Sequence, residues 1–96
     1  MMVLITYDVN TEDAAGKKRL RKIAKKCTNY GQRVQNSVFE CLIDAAQYVE
    51  IKNELLNAYK EDRDSLRFYR LGNNYSDKVE SFGQGVEFEQ GDILIL

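Results

Sequence analysis

Two features of this 96-residue sequence carry chemistry: an acid at the end of an apolar run and a block of cations without counter-charge. Asp8 closes Val3-Leu4-Ile5-Thr6-Tyr7-Asp8, and a carboxylate directly after a hydrophobic strand is costly to desolvate unless something pairs with it. A structural ion pair with a neighbouring helix, a helix cap and a divalent metal would each satisfy it, and the residues leave the three open. A metal bound by protein carboxylates normally takes more than one, with water or phosphate oxygens filling the other positions. No D-x-D or E-x-x-D companion stands near Asp8, so a second copy of the chain across a dimer axis is the source of a pair.

The cations lie in Lys17-Lys18-Arg19-Leu20-Arg21-Lys22-Ile23-Ala24-Lys25-Lys26, which has seven of the eight basic residues of positions 1–43 and no acid. The whole chain carries a net charge of −1, yet residues 1–43 sum to +4 and residues 44–96 to −5. At about 100° per helical residue, Leu20, Ile23, Ala24 and Cys27 share one side. Lys18, Arg19, Arg21, Lys22, Lys25 and Lys26 spread over the opposite side. Like charges one turn apart repel, so a solvated helix face is usually laced with both signs. The one-signed face fits a polyanion such as nucleic acid, which releases counterions on binding; a solvated basic helix balanced by the acidic second half is the alternative.

The absence of histidine removes Ser-His and Cys-His dyads, an imidazole base and histidine metal ligands. Cys27 and Cys41 stand in no C-x-x-C pair, which speaks against zinc, and they read as small buried hydrophobes rather than a disulfide. Residues 1–8 have no basic leader and too short an apolar run for a signal or membrane span. A cytoplasmic protein with no membrane partner is the expectation.

The elements that must position these residues follow from periodicity. Residues 2–9 are apolar on both alternating faces, as in an interior strand. Asn10-Thr11-Glu12-Asp13 supplies cap chemistry for a helix over 12–29, closed by Tyr30-Gly31. Strand character returns over 32–43, and Asp44 with Gln47 is a capping-box signature for a helix to about Lys60. Asp62-Arg63-Asp64 makes a polar turn, residues 65–71 alternate as a strand, and Gly72-Asn73-Asn74 breaks it. Residues 75–82 suit a short helix or turn and 86–89 a short strand. The closing aliphatics 93–96 form a strand edge that needs cover, either as an internal edge strand or, as favoured here, by pairing with a second subunit. The order predicts one α+β domain over 1–96: a ferredoxin-like, split βαβ antiparallel sheet with two helices on one face. Many functions use that fold, so activity has to be argued from the site.

Three stretches together resemble a known family: Tyr7-Asp8-Val9, Arg33-Val34-Gln35-Asn36-Ser37-Val38-Phe39-Glu40, and Asp64-Ser65-Leu66-Arg67-Phe68-Tyr69-Arg70-Leu71. The chain is similar in these to the CRISPR-associated endonuclease family Cas-two, the small subunit of the spacer-acquisition machinery. The resemblance implies a homodimer whose C-terminal strand lies against the partner's sheet, with Asp8 as metal ligand and catalytic residue. It implies nucleic-acid contacts from Arg19, from Arg21 or Lys17, and from Arg33; Lys18 and Lys22 join them from the basic face. Tyr7, Ser37 and Phe39 fall on accessory positions, Ser37 as a strand hydroxyl and Phe39 as core or as an exposed wedge against substrate. The implied activity is Mg²⁺-dependent hydrolysis of duplex DNA or single-stranded RNA in antiviral defence, with Mn²⁺ as a substitute. The alternative is a non-catalytic DNA-binding scaffold that bridges subunits of the Cas-one integrase. Without histidine, metal-activated water is the base left at neutral pH. A ligand-sensing domain of similar fold would rely on Gly83-Gln84-Gly85, a weak candidate loop.

Overall fold

A computed structural model describes residues 1–83. Strand β1 (Met2–Asp8) leads to helix α1 (Ala14–Thr28), strands β2 (Gln32–Gln35) and β3 (Val38–Leu42), helix α2 (Ala45–Ala58) and strand β4 (Ser65–Gly72). The strands make one antiparallel sheet in the order β2-β3-β1-β4. This is the expected ferredoxin-like arrangement.

The apolar run of β1 takes an interior place in the sheet, between β3 and β4. Val3, Ile5 and Tyr7 join Phe39 and Cys41 of β3, Ile23 and Cys27 of α1, and Ile51 and Leu55 of α2 in one core. Both helices therefore lie on the same face of the sheet. Side chains alternate along a strand, so Leu4, Thr6 and Asp8 belong to the other face, on rungs with Tyr69, Arg67 and Ser65 of β4. Cys27 and Cys41 are free thiols inside the core.

Local chemistry sets the element ends. Asp13, rather than a residue of Asn10-Thr11, caps α1: its carboxylate accepts from the Gly16 N–H at 2.8 Å. A Cβ at Gly16 would run into the Asn10 carbonyl oxygen, so the first turn of α1 lies directly on the chain leaving β1. The capping box of α2 is complete, with Gln47 N–H donating to Asp44 at 2.8 Å and Asp44 N–H donating to Gln47 at 3.0 Å. The strand character of residues 32–43 resolves into a hairpin that turns at Asn36-Ser37. Of the two options for 75–82, the turn is the one found, with Lys78 N–H donating to the Tyr75 carbonyl at 2.9 Å. The strands expected over 86–89 and 93–96, the pairing of the latter with a partner, and Gln84-Gly85 lie outside the described residues. Among the described residues no helix is long and apolar enough to cross a membrane.

Candidate functional site

Asp8 is exposed at the end of β1, where three connections meet. The β2–β3 turn is fastened there, the Tyr7 N–H donating to the Ser37 carbonyl at 3.1 Å and the Tyr7 hydroxyl to the Asn36 carbonyl at 3.4 Å. On the other side Ser65, the first residue of β4, pairs with Asp8. Asp8, Asn10 and Ser65 line an open cleft with Glu61, Asp62, Arg63 and Asp64 of the α2–β4 turn.

One of the residues lining this cleft, Asp64, belongs to a buried ion pair. Asp64, in a segment expected only as a polar turn, has a fully buried side chain. Its carboxylate accepts from Arg19 Nε at 2.7 Å and Nη2 at 3.0 Å, from the Asn10 N–H at 3.1 Å and from the Lys60 N–H at 2.9 Å. The Arg19 guanidinium, helped by the two backbone donors, holds the Asp64 carboxyl down at about 2. Arg19 was expected on the outer face of α1, but its side chain is only 11% exposed. It sits four residues before buried Ile23, on the flank of the apolar stripe. That spacing is a signal the sequence contained, and partners 45 residues away were not.

The other expected cations are arranged differently. Lys17, Lys18, Arg21, Lys22 and Lys25 are exposed along α1 and make no ion pair with a described residue. Lys26 reaches Glu54 of α2 at 3.5 Å. Arg33 is exposed on β2, its guanidinium 5.1 Å from the centre of the Phe39 ring. Phe39 itself is completely buried and stacks on Tyr7 with ring centroids 6.2 Å apart. An exposed wedge at Phe39 is therefore corrected to core packing, and Tyr7, also buried, supports Asp8 from beneath. Burial pushes the Tyr7 phenol up, offset in part by a hydrogen bond from Arg33. Ser37 lies half-buried in the β2–β3 turn.

Among the described residues no group of three His, Cys, Asp or Glu side chains could hold a metal. The cleft thus offers no closed cage. Asp8 is an exposed hard-oxygen donor, which suits Mg²⁺, an ion usually bound through one or two carboxylates, retained waters and substrate phosphates.

Comparison with known proteins adds an independent line. The profile of the family described as CRISPR associated protein Cas2 matches residues 1–79. A protein of Halalkalibacterium halodurans named CRISPR-associated endonuclease Cas2 is 58% identical over 95 residues, covering 99% of each chain. One from Chlorobaculum tepidum, named CRISPR-associated endoribonuclease Cas2, is 60% identical over 83 residues, covering 86% of each. The crystal structure of Streptococcus pyogenes Cas2 superposes with a TM-score of 0.77 at 59% identity, over 86% of this chain and all (100%) of that one.

Proposed function

We propose, from the premise that this chain belongs to the CRISPR-associated Cas2 family, that it is a metal-dependent endonuclease of CRISPR defence, acting on nucleic-acid phosphodiester bonds. The observation that carries the proposal is Asp8: an exposed carboxylate lining a cleft, next in the chain to buried Tyr7, which stacks on Phe39. Relatives 58% and 60% identical to this chain are named endonuclease and endoribonuclease. Asp8 would bind Mg²⁺, or Mn²⁺ in its place, together with Asp8 of a second copy in a homodimer. When bound, the metal supplies a Lewis acid that polarises a phosphoryl oxygen and acidifies water.

The chain's own residues do the rest. Lys17, Lys18, Arg21 and Lys22 grip the phosphate backbone along α1, and Arg33 presents a further cation from β2. Leu4, Thr6, Arg67 and Tyr69 lie on the sheet face away from the helices, and exposed Tyr69 gives that face apolar area for self-association.

A second reading is a DNA-binding dimer that serves as a scaffold for the Cas-one integrase. It is favoured by the one-signed surface of α1, whose exposed cations serve binding without any need of Asp8. A cleavage assay on RNA and duplex DNA, with Mg²⁺, Mn²⁺ or chelator, separates the two. Wild type is expected to cut with metal and not with chelator, and Asp8→Asn to lose cutting while keeping duplex affinity. Binding by wild type without any cutting would leave the scaffold. A sizing column on the same samples tests dimerisation.

A further inference from the structure

We infer that Arg19 and Asp64 are a positioning pair that sets the place of Asp8, and that Arg19 takes no part in gripping phosphate. The second half of this inference rests on the proposed nucleic-acid role; the first stands on geometry alone.

A carboxylate offers about four lone-pair sites, and four N–H donors use those of Asp64. They come from three segments. Asn10 is two residues beyond Asp8, Lys60 begins the turn into β4, and Arg19 reaches in from α1. Asp64 itself is the residue before Ser65, the strand partner of Asp8. Both chains that leave the sheet at the Asp8–Ser65 rung are therefore tied to one buried carboxylate, and the Arg19 fork fastens that carboxylate to the helix. Gly16 lets the same helix lie against Asn10. An Arg19 turned outward to a phosphate would strip a fully buried acid of its two side-chain donors and leave its charge unpaired.

The role needs a fork as well as a charge. A lysine keeps the charge but donates from a single point and cannot make the paired contact of a guanidinium. A phosphate contact, in contrast, tolerates lysine.

The test uses the full chain in three variants, Arg19→Met, Arg19→Lys and Lys18→Ala, with a short blunt DNA duplex as probe. In a salt titration, Lys18→Ala is expected to reduce the slope of log Kd against log[salt] by about one, and Arg19→Met to leave it unchanged. Amide hydrogen exchange on the free protein is expected to quicken by roughly tenfold or more at Asn10 and Lys60 in both Arg19 variants, and not in Lys18→Ala. In cleavage, Arg19→Met lowers kcat with KM unchanged, whereas Lys18→Ala raises KM. A slope that falls by about one in Arg19→Met overturns the inference, as does exchange at Asn10 and Lys60 that stays at the wild-type rate. Should Arg19→Met fail to fold, Arg19→Lys carries the exchange arm and Asp64→Asn the salt titration. Wild type that fails to bind duplex would remove the nucleic-acid proposal, and the exchange rates alone would then decide the positioning role.

Discussion

Asp8 and Ser65 share the last rung of the β1–β4 ladder, their side chains on the sheet face that the helices leave open. The rung joins the two chain segments that Asp64 ties together beneath it, so the exposed acid is borne by a rigid base. Exposure and rigidity are separable properties, and the variants below divide them.

Asp8→Asn is expected to change the folding free energy by no more than about 0.5 kcal/mol, the usual range for an exposed position. Asp8 makes no ion pair with a described residue, and Glu61 and Asp62 line the same cleft, so loss of its charge relieves repulsion if it does anything. Urea denaturation with an unchanged m-value checks this, and separates a loss of activity from a loss of fold.

Asp64 predicts acid sensitivity. Its carboxyl is held down from 3.8 to about 2, chiefly by Arg19. On lowering the pH the unfolded chain takes up this proton first, so the stabilisation is complete above the unfolded value and is lost progressively as the pH falls from about 4 to about 2. Asp64→Asn should lack that part of the pH dependence and, at neutral pH, be destabilised by about 3 kcal/mol, since one partner of a buried pair is removed. Urea midpoints of both proteins across pH 2 to 6 measure it.

The basic face of α1 predicts a graded effect. Lys17→Ala, Lys18→Ala and Lys22→Ala should each weaken duplex binding without regard to sequence and lower the salt slope by about one. Their thermal midpoints should match wild type, because all three side chains are exposed and unpaired among the described residues.

The thiols should be inert. Burial pushes Cys27 and Cys41 up to about 12, and reaction needs the thiolate. A thiol reagent at pH 8 is expected to label neither in the native protein within minutes and both at once in denaturant; rapid native labelling would count against this core.

Periodicity and capping made much of the fold legible from sequence. The Asp44–Gln47 box and the β1 run act between near neighbours, so their outcome is written locally. The ferredoxin-like order implied two strands within residues 32–43, but the turn at Asn36-Ser37 could not be placed because no glycine or proline marks it. The place of Asp8 at a strand end could also be read in advance, but not its exposure without an ion-pair partner among the described residues. Asp64 could not, since its donors Asn10 and Arg19 are 54 and 45 residues away in the chain. For the same reason the run of cations, though its spacing puts Arg19 beside the apolar stripe, did not show which acid draws that residue inward.

Strand order has a consequence for synthesis. The ribosome delivers β1 first, but one of its two neighbours in the sheet is β4, the last strand of the described chain. Until Ser65 and its predecessor emerge, the nascent polypeptide has neither the rung beside Asp8 nor the anchor for Arg19. The surroundings of Asp8 are thus assembled only after the α2–β4 turn has been made.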